Sequence, residues 1–432
     1  MNNIQGVSDS FMCSNCGACI CACPKDAIDF NWSSMGRMSA QVSDKCIDCG
    51  ICTKVCPSLN NTAACFEDQY VGDIKALYTG RAVDEKIFRN AQSGGAVTAA
   101  LNYLFKNKKI DCAIVCKMTA GDTPVVQSVI ITDSKDLGET QKSCYTPVDM
   151  LSILKDTIDY KSIAFVGLPC HIQGLTLLQQ SIKRFHNVKY KLGLVCDRTL
   201  CASIQDLLIN KYSVGPHSKP LKIDWRRKWL DNREFNYKNA PVVIYSNEEE
   251  YSIPNSIRFY LKESFTPPRC RICPDKINVM ADIVFGDPWR MEDIDWVNGE
   301  SVIITRTELG HNLLQEMQTN EILKLVKRNN EEIVTGQQIS ERKEQVAIWQ
   351  EAIKTLPVQM DSYLTMPTKS VDTKLVSHAK LKIKRFLQLE LLQKEEVINI
   401  MIKDVNRFEK RLNSLVYRIY SVIVGRLNSL VK

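Results

Sequence analysis

Eighteen cysteines in 432 residues give this chain its most distinctive chemistry. Two runs near the start share one spacing: Cys13-x-x-Cys16-x-x-Cys19-x-x-x-Cys23-Pro24 and Cys46-x-x-Cys49-x-x-Cys52-x-x-x-Cys56-Pro57. Three thiolates at two-residue spacing can wrap one iron–sulfur cubane, while the fourth, past the turn, ligates the other cluster. The spacing therefore predicts one [4Fe-4S] cluster on Cys13, Cys16, Cys19 and Cys56, and a second on Cys46, Cys49, Cys52 and Cys23. Zinc ribbons also use C-x-x-C pairs. They do not use a C-x-x-C-x-x-C triplet, and a proline after each run is a ferredoxin feature. Cys21 is surplus and reads as an unligated thiol. Such a module moves single electrons, so something downstream must use them.

Further along, four short motifs could do chemistry. Arg89-x-x-Gln92-Ser93-Gly94-Gly95 precedes a helical stretch. Its glycines could let a phosphate or flat ring approach the backbone beside free helix N–H groups, or Ser93 could simply cap the helix. Gly167-Leu168-Pro169-Cys170-His171 and Cys196-Asp197-Arg198-Thr199 each follow a buried strand, where α/β ligand sites tend to lie. Pro268-Arg269-Cys270-Arg271-Ile272-Cys273-Pro274-Asp275 is followed by Ala281-Asp282-Ile283-Val284-Phe285-Gly286-Asp287-Pro288-Trp289. Cys270 and Cys273 alone cannot complete a four-thiolate site. A third cluster on Cys170, Cys196, Cys270 and Cys273 is one outcome; a redox dithiol or a zinc half-site are the others.

The elements that must position these groups follow from hydrophobic patterning. Strands are expected at Ile74–Thr79, Ile110–Lys117, Val125–Thr132, Ile163–Val166 and Lys191–Cys196, with a helix over Gly94–Lys106. This alternation argues for an α/β or α+β layered body. Cys112 and Cys116, four apart on one strand, read as small buried hydrophobes.

Composition narrows the class. With 44% apolar and 24% charged residues the chain is ordinary globular protein, which excludes disordered and collagenous classes. No run of about 18 apolar residues is present to span a bilayer. The first eleven residues lack a basic n-region and an apolar h-region. Many cysteines without an export signal point to the cytoplasm of a cell that protects oxygen-sensitive centres. The net charge is +7, but Thr373–Lys432 alone holds thirteen Lys and Arg against five Asp and Glu. The remainder is nearly neutral, so basic-surface arguments concern the tail alone.

Taken together, Gln92-Ser93-Gly94-Gly95, Gly167-x-Pro169-Cys170, Trp225-Arg226-Arg227-Lys228, Cys270-x-x-Cys273 with Ala281-Asp282-Ile283 and Gly286-Asp287, and Ile304-Thr305-Arg306-Thr307 with Gly310 carry a resemblance. From about residue 75 to 325 the chain resembles the family of coenzyme F420 hydrogenase and dehydrogenase beta subunits, with a ferredoxin module attached. That resemblance implies a flavin, usually FAD, beside a [4Fe-4S] cluster, and it strengthens the third-cluster assignment. It makes Arg89, Gln92, Ser93, Gly94 and Gly95 candidate flavin contacts. Asp287 and Trp289 would line the flavin or pack in the core. There are two departures. His171 stands where the family often has Gln; it could be a proton donor or a structural histidine bonded to backbone. Ser143-Cys144-Tyr145 lacks the Lys or Arg common in the middle position, which puts deazaflavin specificity in doubt.

From about Ser370 the chain turns helical and basic. Leu412, Leu415, Val416, Ile419, Ile423, Leu427 and Leu430 recur at helical spacing, flanked by Arg411, Arg418, Arg426 and Lys432. Such a segment suits the anionic inner face of a membrane, or packing on the body or in a homodimer. No nucleic-acid-binding motif accompanies the charge.

The expected architecture is α+β: a two-cluster ferredoxin domain over 1–66, a mixed α/β flavin-binding body and a helical C-terminal tail. The body divides into a flavin-binding part over 70–150 and a part with the third iron–sulfur site over 151–367; the basic amphipathic tail covers 368–432. The expected function is an iron–sulfur flavoprotein oxidoreductase. Electrons from a low-potential donor such as ferredoxin would pass through the clusters to FAD and then to a small organic substrate. The alternative is a non-catalytic electron-transfer subunit that feeds a partner enzyme.

Overall fold

The computed structural model describes residues 2–60, 71–121, 123–212, 219–228, 241–354 and 371–414. Its strands are β1 (Ile28–Trp32), β2 (Met38–Val42), β3 (Ala76–Ala82), β4 (Cys112–Thr119), β5 (Val125–Ile131), β6 (Ile163–Gly167), β7 (Val188–Leu194), β8 (Pro220–Asp224), β9 (Val242–Tyr245), β10 (Glu250–Ser252), β11 (Ile283–Gly286), β12 (Ser301–Thr305) and β13 (Leu323–Arg328). Strands β1 and β2 form a hairpin in the N-terminal module, and β10-β9-β8 form a small antiparallel sheet. The other eight make one mixed sheet in the order β13-β3-β12-β11-β7-β6-β4-β5. Its centre is parallel: β4 with β6, β6 with β7 and β7 with β11.

That sheet is covered on both faces, so its central strands are continuous hydrophobic runs. Every residue of β6 and β12 is buried. Side chains alternate between faces: Ile163 and Phe165 enter one core layer, and Ala164 and Val166 the opposite one. The helix Pro169–Ser181 covers the first face and Ala96–Lys106 the second. Pro169 opens its helix at a position where a missing N–H costs nothing. The sheet takes β3 to β5 from before residue 150 and the rest from after it, so 70–150 and 151–367 are halves of one unit.

Most expected strands fall within two residues of their observed bounds, with one correction of consequence. The strand expected at Lys191–Cys196 spans Val188–Leu194, so Cys196 lies two residues beyond it, on the loop. The ferredoxin module is seated on the body. Leu151 N–H donates to the Cys16 carbonyl at 3.0 Å, Arg269 Nε to Ser58 Oγ at 3.0 Å, and Ala202 N–H to the Gly36 carbonyl at 2.8 Å.

The start of the tail also belongs to the core. Helix Thr373–Glu390 buries Ala379 and Ile383 in a layer shared by helix Ile339–Ile353 and the ferredoxin module, and Phe386 and Leu389 against the body. Helix Lys394–Asn413 adds Val397, Met401 and Val405 to that body layer. Each of the larger of these side chains contributes roughly 1.5–3 kcal/mol on burial, so the packed alternative holds for these two helices. Leu412 is half-buried; Leu415, Val416, Ile419, Ile423, Leu427 and Leu430 lie outside the described residues, as do Arg418, Arg426 and Lys432. Among the described residues, no helix is long and apolar enough to cross a membrane.

Candidate functional site

The two N-terminal cysteine runs build two copies of one local device. In each, a glycine in the left-handed conformation, Gly17 (φ +86°) or Gly50 (φ +72°), caps a helix of about one turn that carries the third cysteine, Cys19 or Cys52. A side chain at Gly17 would place its Cβ 1.8 Å from Asp149 Oδ1, so both conformation and space demand glycine there. The thiols of Cys13, Cys16, Cys19 and Cys56 converge closely enough to act on one another electrostatically. Burial, and then the neighbouring thiols, push Cys16 and Cys19 well above the ordinary thiol range; burial lifts Cys56 to about 11. Four thiolates are thus costly here unless a cationic group binds them and releases their protons.

Cys46, Cys49 and Cys52 form the second group. Cys23 is half-buried in the layer that holds Cys19 and Cys52. Backbone N–H groups already point at these sulfurs: Ala27 at Cys23 Sγ, 3.3 Å, and Asp48 at Cys46 Sγ, 3.4 Å. Cys49 is exposed, so this is the outer group. Cys21 is buried, and burial raises its thiol to about 12 despite Arg184 and Lys155 nearby.

The four body cysteines also meet. Cys170 begins its helix at the end of β6, Cys196 follows β7, Cys270 lies on the short helix Pro268–Arg271, and Cys273 follows it. Burial raises the Cys170 and Cys196 thiols, and both feel the thiols of Cys270 and Cys273. Arg342 clamps the loop, donating to the Cys270 carbonyl at 2.7 Å and the Cys273 carbonyl at 3.0 Å. Asn278 Nδ2 ties it to the strand ends through the carbonyls of Gly167, 2.9 Å, and Leu194, 3.3 Å. This group adjoins the first one: Cys170 Sγ is 3.9 Å from the Ser14 carbonyl and feels Cys16.

Among the described residues, no three His, Cys, Asp or Glu side chains converge on a single-ion site. Two buried arginines lie beside the thiols. Arg37 lies 9% exposed with Nε and Nη1 unpartnered, and Arg269 lies 4% exposed with Nη1 unpartnered. Arg37 acts on Cys13, and Arg269 on Cys56 and Cys273. An uncompensated buried guanidinium N–H is expensive, and sulfur-rich anionic clusters would supply the missing acceptors. Sequence reasoning missed both arginines. The position of Arg269 beside Cys270 was a usable signal; Arg37 had none.

Beside the body cysteines lies a cavity of about 660 Å³, the size of a cofactor site. Cys196 and His171 form part of its wall, as do Gln92, Ser93, Gly95, Asp287 and Trp289. Gln92 Oε1 accepts from Ser143 N–H at 3.2 Å, and Ser93 Oγ meets Ser301 Oγ at 3.4 Å. Asp287 pairs with Arg226 at 2.5 Å, and that guanidinium lies 4.9 Å over the Trp289 ring. The wall carries seven basic residues, Lys142, Arg198, Arg226, Arg258, Lys262, Lys276 and Arg342, against Asp197, Asp287 and Glu341. Trp225 and Gln337 also contribute to the wall, and their Nε1 and Oε1 atoms are buried without a protein partner.

Several expected contacts are corrected. Arg89 is off the site, exposed and paired with Glu85 at 2.7 Å. Gly94 does not face the cavity: a Cβ there would meet the Gly80 carbonyl oxygen at 2.4 Å and the Ser301 nitrogen at 2.6 Å, so its need is internal packing. Gly95 does face it, capping helix Ala96–Lys106 in the left-handed conformation. His171 is 3% exposed, its Nδ1 accepts from Leu168 N–H at 3.3 Å, and burial lowers its pKa to about 3. A ring so held stays neutral, which fits the structural histidine and not the proton donor. Cys112 is core as expected, but Cys116 is half-buried and lines the cavity. Ser143, Cys144 and Tyr145, without the cation, line the same cavity as the seven basic residues.

Comparison with known proteins follows this division of the chain. Residues 77–155 match the N-terminal, and 160–331 the C-terminal, family model described as coenzyme F420 hydrogenase/dehydrogenase, beta subunit; together they cover more than half the chain. The chain belongs to this family of beta subunits. Residues 12–60 match a 4Fe-4S dicluster domain, so the family body carries an iron–sulfur module at its N-terminal side. Among similar proteins is the coenzyme F420-dependent sulfite reductase of Methanocaldococcus jannaschii, 27% identical over 340 residues, covering 74% of this chain and 48% of that protein. The chain thus spans about half the length of that relative. A subunit of the F(420)H(2) dehydrogenase of Methanosarcina mazei is 24% identical over 309 residues, covering 69% of this chain and 80% of that one. A chain of the F420-reducing [NiFe] hydrogenase complex from Methanosarcina barkeri shares the fold, with TM-score 0.53 and 19% identity over 70% of this chain and 99% of its own.

Proposed function

We propose that this member of the family is an iron–sulfur electron-transfer subunit, carrying electrons between a partner redox enzyme and an organic two-electron cofactor in the basic cavity. Contiguity supports the reading: an exposed thiol group, a buried one, a third touching the second, and a cavity walled by the third. In this reading Cys46, Cys49, Cys52 and Cys23 hold the outer [4Fe-4S] cluster, and Cys13, Cys16, Cys19 and Cys56 the inner one. Cys170, Cys196, Cys270 and Cys273 hold the third. Clusters exchange single electrons, and a flavin-type ring, when bound, supplies the step between one and two. Ser93 and Gly95 at a helix N-terminus and the surrounding cations suit an anionic tail.

The named relatives work with coenzyme F420, which favours a deazaflavin ring, with FAD as the second candidate. Several relatives are named as enzyme subunits, which favours a partner enzyme over a free ferredoxin as electron donor and over direct turnover of a small organic substrate. The segment beyond residue 414, basic and apolar at helical spacing, would add contact with an anionic membrane face.

The test is metal content and ring binding. Anaerobically prepared protein should hold about twelve iron and twelve sulfide per chain, falling to about eight in the Cys270→Ser/Cys273→Ser double variant. Equilibrium dialysis should find one ring bound per chain. Eight iron in both proteins would remove the third cluster, and no binding of either ring would remove the cavity's role.

A further inference from the structure

We propose that Cys116 and Cys144 form a redox-active dithiol in the cavity wall, closing to a disulfide as two electrons leave for an organic hydride acceptor held there. Neither thiol belongs to the twelve assigned above to clusters. Along β4, Cys112 and Ile114 share a core-facing side with Cys116, but the cover ends at Cys116, which is half-buried and reaches the cavity. Cys144 comes from a loop more than twenty residues away, yet it lines the same cavity and packs on the same core layer as Cys116, and the two thiols act on one another.

The loop is built to hold Cys144 there. Lys142 sits at φ +84°, a conformation that side-chain-bearing residues rarely adopt and that persists only when surroundings enforce it. Here the enforcement is visible. Lys142 Nζ pairs at 2.9 Å with Asp224, whose side chain is 3% exposed, and Ser143 N–H donates to Gln92 Oε1 at 3.2 Å. A small hydrophobe filling space would need none of this. The thiols are also unequal. Each acts on the other, lowering Cys116 and raising Cys144, which gives the pair one better nucleophile, as disulfide exchange requires.

The reaction balances without further reagents. Two S–H bonds break and one S–S bond forms; two electrons and one proton pass to the oxidised acceptor, and the second proton goes to water. The reverse stores two electrons from a reduced acceptor. Closure of the disulfide does not require the cavity to be occupied, whereas exchange with an acceptor rests on the function proposed above, so the experiment has two arms.

In the first arm, cluster-loaded protein is equilibrated anaerobically with mixtures of reduced and oxidised dithiothreitol, quenched in acid, alkylated and mapped by mass spectrometry. A Cys116–Cys144 linked peptide should appear in oxidising mixtures, reverse in reducing ones, and vanish in Cys144→Ser while iron content stays unchanged. Separate alkylation of both thiols at every ratio overturns the proposal. In the second arm, reduced protein is mixed with oxidised coenzyme F420 or FAD. Loss of the ring's absorbance should match linked peptide in wild type and be absent in Cys144→Ser. A ring that binds while the pair stays reduced overturns the exchange. A ring that does not bind overturns the reading of the cavity and the acceptor with it, and leaves the first arm's disulfide standing.

Discussion

Replacing Arg269 by methionine should make the inner ferredoxin cluster and the body cluster harder to reduce while leaving both in place. Arg269 is 4% exposed, its Nε donates to Ser58 Oγ at 3.0 Å, its Nη1 lacks a protein partner, and it acts on Cys56 and Cys273. It therefore sits at the junction of two thiol groups. A unit charge about 5–7 Å from a cluster at an effective dielectric near 20 is worth about 2–3 kcal/mol. For a one-electron couple that is about 100–140 mV, and sharing between two clusters with partial screening brings the expected fall to about 50–100 mV each. Methionine fills similar volume without the charge. The assay is an anaerobic redox titration followed by electron paramagnetic resonance, with iron counted on the same samples. Arg269→Lys, which keeps the charge but not the fork, should shift the potentials less. Full iron with no potential moved by more than about 20 mV in the methionine variant would refute the argument that this buried cation faces the clusters.

Lys228 offers a test through pH. Its Nζ donates to the carbonyls of Phe88, 2.7 Å, and Ser93, 2.9 Å, and burial lowers its pKa to about 7 against an unfolded value near 10.5. Between those values the unfolded chain holds the extra proton, so this lysine's contribution to stability rises with pH. The melting-temperature advantage of wild type over Lys228→Met should therefore grow from pH 7 to pH 9, and a flat difference would contradict the burial argument. Gly94→Ala forces a Cβ onto the Gly80 carbonyl and should cost about 1–3 kcal/mol, seen as a lower melting temperature. Gly95→Asn, at a left-handed cap with its nearest contacts at 3.2 Å or more, should cost less than that.

Legibility followed sequence separation. The ferredoxin runs were plain because each spacing is local: a few residues, a glycine turn and one turn of helix set where three sulfurs go. Strand positions in the body were also plain, because a sheet covered on both faces demands unbroken apolar runs such as Ile163–Gly167 and Ser301–Thr305. The third thiol group was only one of three possibilities at that level. Cys170 and Cys270 are a hundred residues apart, and nothing local states that the ends of β6 and β7 meet the loop clamped by Arg342.

The cavity shows the same division from the other side. Gln92, Ser93, Gly95, Asp287 and Trp289 were found by motif, whereas Arg89 and Gly94, in the same motif, face elsewhere. A motif names adjacent residues, but a helix turn sends adjacent side chains in different directions. His171 looked available for proton transfer until its burial and its bond from Leu168 held the ring neutral. Cys116 and Cys144, unrelated in sequence, are set in the wall of one cavity by β4 and the Lys142 loop. By itself, then, the sequence determined the local devices, two cysteine-wrapped turns and the strands of a buried sheet, because those depend on backbone geometry over a few residues. Tertiary structure alone decided the third thiol group, the buried arginines beside the thiols, the charge of the cavity and the two further cysteines in its wall. Those depend on which distant segments the parallel sheet sets side by side, and on what burial then does to their charges.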